Sequence, residues 1–120
     1  MKQMKHYYST EAAEQKAVVQ WCAYMNIPVV HIPNEGKRSP RQGAELKQMG
    51  LQKGFPDLFI PVAKGGYHGL FIEMKYGRYR VTPEQKVWLS NLADNGYCCA
   101  LCVGAENAIA NIKNYIGMGG

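Results

Sequence analysis

The sequence predicts an α/β fold in which a mixed central sheet is flanked by helices. Four short apolar or β-branched runs have the length and composition of strands: residues 27–32, 56–61, 69–75 and 97–103. Apolar residues at helical spacing mark three helices: residues 10–25, 82–95 and 105–116. The resulting order, α-β-β-β-α-β-α, is typical of a sheet covered by helices.

Length and composition indicate one folded domain. The chain has 120 residues, of which 47% are hydrophobic and 19% are charged, as in ordinary globular proteins. Two domains of half this length would each be marginal for burying a core. We therefore expect a single domain over residues 1–120, with its core at about 10–116. Since no apolar run approaches the roughly 20 residues of a membrane span and the start, MKQMKHYYST, lacks an apolar signal region, we expect a cytoplasmic protein without a membrane partner.

The first half of the chain begins with a helix and a strand. Thr10 can cap the helix, and Glu11 suits the positive end of the helix. One side of this helix carries Glu14, Val18, Trp21, Cys22 and Met25. In the strand that follows, His31 is either a core histidine or a functional base. After the turn at 33–36, the polar and basic segment 37–54 has room for a short helix near Arg41–Met49.

The second half contains a predicted hairpin and two helices. The strands at 56–61 and 69–75 are joined by the turn signal of residues 64–67. Thr82 can then cap a helix, with Pro83 in its first position and Gln85 completing a capping box. We expect Trp88 in this helix, like Trp21 earlier, to be a core residue. The last helix either covers the sheet or offers a dimer face.

Basic residues concentrate in two segments. Lys and Arg number 14 against 9 Asp and Glu, which gives a net charge of +5. Such an excess suits a polyanion such as DNA, although each charge alone is also typical of a solvated surface. The candidate phosphate contacts are Arg38, Arg41, Lys47, Lys53, Arg78 and Arg80. Tyr76 and Tyr79 either stack on an unpaired base or pack on the surface.

Three cysteines cluster in the last predicted strand, as Cys98, Cys99 and Cys102. Cys99-x-x-Cys102 matches half of a zinc site or a redox pair. A structural zinc site needs four ligands, and no second pair completes this one. The apolar surroundings favour small buried strand residues, with a thiol or zinc protein as the alternative.

The most informative spacing is Asp57 followed, after fifteen residues, by Glu73-x-Lys75. Positions i and i+2 of a strand share a face, so Glu73 and Lys75 point the same way. A hairpin would bring Asp57 beside Glu73, and two carboxylates are what Mg²⁺ accepts beside waters and phosphate. A nearby lysine can offset developing negative charge. Taken as bare spacing, the same residues also fit a Glu–Lys pair on a solvated sheet face.

Longer stretches of the chain resemble one family of nucleases. GFPDLFIP, GLFIEMK and TPEQKVWLSNLADNGY look like the VRR-NUC (virus-type replication-repair nuclease) branch of the PD-(D/E)XK nucleases. HIPNEG at residues 31–36 and the helix with Glu14-Gln15 are similar to that branch as well. The resemblance covers residues 10–116, nearly the whole chain.

This resemblance implies a restriction-endonuclease-like sheet core and a DNA endonuclease that depends on Mg²⁺ or Mn²⁺. Small stand-alone members look like phage enzymes that cut branched DNA such as Holliday junctions, often as homodimers. A phage-encoded member would act in the host cytoplasm. The alternative is a non-catalytic DNA-binding module on the same fold.

The resemblance also implies roles for individual residues. Asp57, Glu73 and the backbone carbonyl of Met74 would be metal ligands, and Lys75 would be the catalytic lysine. Glu14 would reach the metal from the first helix, directly or through water. Two alternatives stay open at this point. Glu11 competes with Glu14 for that role, and Gln85 is a catalytic-site residue, only a capping-box partner, or both.

Overall fold

The computed structural model describes residues 9–33 and 39–119. The predicted turn beyond Pro33 and the candidate contact Arg38 lie outside these ranges. The elements are α1 (Glu11–Tyr24), β1 (Val30–His31), α2 (Pro40–Gln48), β2 (Leu58–Ile60), β3 (Leu70–Lys75), α3 (Pro83–Asp94), β4 (Cys98–Val103) and α4 (Gly104–Ile116). The predicted α/β class is confirmed, and α2 is the short helix expected near residues 41–49. Within the described ranges, no helix combines the length and apolarity needed to cross a bilayer.

The four strands form one mixed sheet in the order β1-β2-β3-β4. β1 and β2 are antiparallel, β2 and β3 form the predicted hairpin, and β3 and β4 are parallel. The parallel pair requires a crossover, which α3 supplies on one face of the sheet. β3 therefore lies between two partners, and its side chains are buried on both faces.

The main core lies between one face of the sheet and the helices α1 and α4. Its fully buried members include Val18 and Cys22 from α1 and Ile112 and Tyr115 from α4. These pack on the even-numbered residues of β3, Leu70, Ile72 and Met74. Burial of Ala108, Ile112 and Tyr115 shows that α4 covers the sheet, one of the two roles predicted for it. On the opposite face, below α3, Phe71 stacks on Phe59 with ring centroids 4.4 Å apart.

Several local expectations from the sequence are wrong. The strand predicted at 27–32 is reduced to Val30–His31, because the flanking Pro28 and Pro33 have no N–H for the sheet. His31 is exposed on this short edge strand and is not a core histidine. Met25 is also exposed, with 48% of its surface accessible. Trp21 and Trp88 are only partly buried; Trp21 packs against the main core.

Of the three cysteines in β4, Cys102 is buried, whereas Cys98 and Cys99 are only partly buried. Cys99 and Cys102 are three positions apart in β4, so their side chains point to opposite faces of the sheet. Burial raises the pKa of the Cys102 thiol to about 11. Burial, together with the nearby Cys98, likewise raises the pKa of the Cys99 thiol to about 11. Because they lie on opposite faces of the sheet, these two thiols are not placed to share a metal ion or to form a disulfide.

Candidate active site

Asp57 and Glu73 meet where β2 begins and β3 ends. The hairpin register pairs Leu58 with Ile72, so one further step places Asp57 opposite Glu73. The two side chains share a sheet face because antiparallel partners point the same way. The Asp57 carboxylate reaches across to β3, where its Oδ2 accepts a hydrogen bond of 2.8 Å from the Met74 N–H. The hairpin thus fixes the first carboxylate directly against the strand that carries the second.

Glu73, Lys75 and Gln85 form a buried polar network. The Gln85 Nε2 donates to Glu73 Oε2 at 3.0 Å, and Lys75 Nζ donates to Gln85 Oε1 at 2.9 Å. Lys75 Nζ also lies 3.7 Å from Glu73 Oε2. The side chains of Glu73 and Lys75 are only 5% and 12% exposed, so the solvated sheet face considered from the sequence is wrong. Burying two charges is costly unless both are paired and hydrogen-bonded, and Gln85 bridges them here.

Gln85 is held in this position by the start of α3. Its backbone N–H donates to the Thr82 hydroxyl, and its Oε1 accepts from the Thr82 N–H. The predicted capping box is therefore present, and the same Oε1 accepts from Lys75. Gln85 is therefore a capping-box partner that also contacts Lys75 and Glu73. The cap orients the amide plane, so that its nitrogen faces Glu73.

A glycine brings the chain before Asp57 against the same helix start. Gly54 has φ +85°, and a Cβ placed there would lie 2.7 Å from Glu84 Cβ and 2.8 Å from Gln85 N. The contacts are to backbone and to a Cβ, which cannot move aside. Only glycine permits this approach. The sequence predicts a break at Gly54, in GFPD, but not its close approach to the start of α3.

The carboxylates of α1 lie at two different places. Glu14 Oε1 accepts a 2.9 Å hydrogen bond from the Ala105 N–H in the first turn of α4, and Ser9 Oγ donates to its other oxygen. Glu14 therefore lies beside the C-terminal end of β4. Lys75 lies at the same end of the sheet, because it pairs with Val103. Glu11 instead lines a hollow of about 210 Å³ together with Asp57.

His31 and Gln15 line that same hollow. His31 Nδ1 lies 3.0 Å from Gln15 Nε2 and 3.3 Å from the Asp57 carbonyl oxygen. The Ile32 N–H also donates to the Asp57 carbonyl, at 2.8 Å. The backbone of Asp57 is therefore fixed by β1, and its side chain is fixed by β3. His31 supports the site from the edge strand.

The described candidate phosphate contacts are all exposed: Arg41, Lys47, Lys53, Arg78 and Arg80. They lie on α2, on the loop that follows it and on the loop after β3.

No described group of three or more His, Cys, Asp or Glu side chains is arranged to hold a metal. Asp57 and Glu73 lie opposite one another in the hairpin. Glu14 is hydrogen-bonded to the Ala105 N–H of α4. Oxygen donors of this kind fit Mg²⁺ or Mn²⁺ when waters and phosphate complete the shell.

Comparison with known proteins places this fold in a family. The VRR-NUC domain matches the chain over residues 9–106. Among solved structures, one described as a VRR_NUC domain protein has a TM-score of 0.80 and 35% sequence identity, covering 92% of this chain and 91% of that chain. No curated protein matches the sequence. The family match spans most of the chain, including all of the Asp57–Gln85 network, and so the chain belongs to the VRR-NUC family and has its nuclease-type fold.

Proposed function

We propose that this protein is a metal-dependent endonuclease that hydrolyses phosphodiester bonds in branched DNA. The observation that carries the proposal is the buried Glu73–Gln85–Lys75 network beside Asp57. An ion pair that serves only stability needs no second carboxylate. Here Asp57 is held opposite Glu73 by a hydrogen bond from the Met74 N–H. That combination fits a site built to act on a phosphate group.

The residues fit one or more hard divalent cations. Asp57 and Glu73 supply carboxylate oxygens, and the N–H of Met74 already faces Asp57. In an extended strand the N–H and C=O of a residue point to the same side, so the Met74 carbonyl suits the third ligand position. Glu14 and Glu11 are the further candidates from α1. Bound Mg²⁺ or Mn²⁺ would polarise the phosphodiester and lower the pKa of an attacking water.

The protein's own side chains position the reacting groups and neutralise negative charge on the phosphate. Lys75 places its ammonium group where it can offset the negative charge that develops on the phosphate. Gln85 holds the Lys75 ammonium and the Glu73 carboxylate in fixed relative positions, which lowers the entropic cost of reaching the reactive geometry. The exposed basic residues of α2 and of the loop after β3 would bind the flanking phosphates.

The test is cleavage of a labelled synthetic four-way junction with Mg²⁺ or Mn²⁺, beside a linear duplex of the same sequence. We expect metal-dependent cuts near the branch and their loss in Lys75→Ala and Asp57→Ala. Lys64→Ala is a matched control for lysine charge, because Lys64 lies in the turn between β2 and β3, at the opposite end of the sheet. Thermal unfolding verifies that each variant is folded.

The outcomes separate the parts of the proposal. Equal cutting of junction and duplex would retain the nuclease and reject the preference for branches. Binding without cutting in either metal would favour a non-catalytic DNA-binding module. Loss of the thermal transition in both active-site variants would show that the network is structural.

We also propose that the enzyme acts as a homodimer inside the cell. A four-way junction has two symmetric strands to cut, and a two-fold dimer presents two matching sites. DNA as a substrate agrees with a cytoplasmic location.

A further inference from the structure

Three adjoining hollows connect Asp57 with the basic residues of α2. The hollow of about 210 Å³ at Asp57 is lined by Ile32. Ile32 also lines a second hollow, of about 250 Å³, whose wall includes Leu51 and Trp88. These two residues in turn line a third hollow of about 580 Å³ that contains Lys47 and Lys53. Each hollow shares lining residues with the next, and we call this row of three neighbouring hollows the channel.

The far end of this channel combines positive charge with apolar surface. Lys47 and Lys53 are exposed, and the apolar lining comes from Leu51, Val87 and Trp88. Val87 is 57% exposed, so an apolar side chain lies at the surface of α3. Glu84 is the acidic residue of the lining, in the first turn of α3, where negative charge is favoured by the helix dipole.

This combination favours unpaired nucleotides over a duplex. A duplex presents phosphates to a protein and keeps its bases stacked inside. Single-stranded DNA presents phosphates and base faces together, and its binding sites pair basic grooves with apolar or aromatic side chains. Val87 and Trp88 would have no partner on a duplex backbone.

We infer that this channel, from Asp57 to Lys47 and Lys53, binds a single-stranded segment of the DNA substrate next to the cleavage site. The inference rests on the proposed function and deepens it: one strand would be unpaired where it leaves the branch, and the channel would hold that strand. α3 contributes residues both to the candidate active site and to the channel. Gln85 points inward to Glu73 and Lys75, whereas Val87 and Trp88 line the channel on the same helix.

Tryptophan fluorescence provides a direct test in EDTA, where metal-dependent cleavage is absent. The variant Trp21→Phe leaves Trp88 as the remaining tryptophan of the two in the chain. Trp21 packs on the opposite face of the sheet, below Lys113. We expect an oligo(dT) of about 12 nucleotides, within the range of known single-strand sites, to quench Trp88.

Substitutions in the channel supply the second measurement. Val87→Asp should weaken oligo(dT) binding by about tenfold or more, because it replaces a base contact with a charge that repels phosphate. Lys47→Ala with Lys53→Ala should lower the slope of log affinity against log salt by about 1.4, since each single-strand phosphate contact contributes about 0.7. Lys113→Ala is the matched control, because α4 lies on the other face of the sheet. Each channel variant should lose more affinity for a duplex with a single-stranded arm than for a blunt duplex.

The outcomes distinguish this inference from the proposed function. If the wild-type protein cuts junctions but Trp88 does not respond and Val87→Asp binds oligo(dT) normally, the channel assignment is wrong and the nuclease stands. If the channel variants lose equal affinity for blunt and armed duplexes, the channel is a duplex contact. If the wild-type protein neither binds nor cuts any DNA with Mg²⁺ or Mn²⁺, the proposed function fails first.

Discussion

Gln85 joins the start of a helix to the two charged residues of the candidate site. Its oxygen accepts from the Thr82 N–H and from Lys75, and its nitrogen donates to Glu73. A single amide therefore stabilises a helix end and orients two ionised side chains. Substitution with glutamate separates these functions, because a carboxylate can still accept hydrogen bonds but cannot donate one to Glu73.

We expect Gln85→Glu to keep the helix cap yet reduce cleavage by about 10- to 100-fold, as small misplacements of reactive groups do. Thr82→Ala should show the reverse: a loss of about 1 kcal/mol in the free energy of unfolding with little change in cleavage. Denaturant unfolding and single-turnover cleavage measure the two quantities. Equal effects of both variants on cleavage would mean that Gln85 acts only through the helix cap.

At the scale of elements, the loop before β2 and the start of α3 are joined through Gly54. Gly54→Ala should destabilise the protein by more than Gly50→Ala. Both glycines have positive φ, but a Cβ at Gly50 meets nothing within 4 Å. Gly50→Ala measures the backbone strain alone, about 1–2 kcal/mol. Gly54→Ala adds a clash with Gln85 N and Glu84 Cβ, and so should also lower cleavage. Equal unfolding free energies for the two variants would contradict the close packing.

The carboxylate of Glu14 acts across elements as a cap for α4. The residue before α4, Val103, provides no side-chain cap. Instead, the Glu14 carboxylate accepts a hydrogen bond from the Ala105 N–H. Without divalent metal, Glu14→Ala should cost about 1 kcal/mol of unfolding free energy. Glu14→Gln, which keeps an acceptor oxygen, should lose only the dipole interaction, about 0.3–1 kcal/mol.

Glu106→Ala controls for charge alone, because Glu106 lies in the same first turn of α4. Chemical unfolding in EDTA measures all three variants. If Glu14→Ala were as stable as the wild-type protein, the carboxylate would not be a cap. Loss of cleavage in a stable Glu14→Gln would show that Glu14 serves in both ways.

Periodicity and local chemistry predicted the parts of this fold that depend on neighbouring residues. The alternation along β3 placed Glu73 and Lys75 on one face, and the capping box placed the start of α3 at Thr82. Contacts between distant segments were not predictable in this way. The Glu14–Ala105 hydrogen bond spans 91 positions, and nothing in the local sequence near Glu14 indicates its partner.

The shape of the whole molecule bears on how it would grip DNA. The described chain measures 45 × 44 × 24 Å, so its longest dimension covers about 13 base pairs at the usual rise of 3.4 Å. One such disc can contact one arm of a junction and the strand beside it. Symmetric cutting of both strands needs a second site in the opposite orientation, which a two-fold dimer provides.

Light scattering should therefore give about twice the chain mass of 13.4 kDa. Paired cutting can be followed on a supercoiled plasmid with an extruded cruciform, where two cuts in one binding event give linear product and one cut gives nicked circles. Dimers that combine a wild-type chain with a Lys75→Ala chain should yield nicked circles, because only one of their two sites is competent. If the protein is a single chain in solution and still linearises the cruciform in one event, the dimer proposal is wrong, and one site must turn over twice before the DNA dissociates.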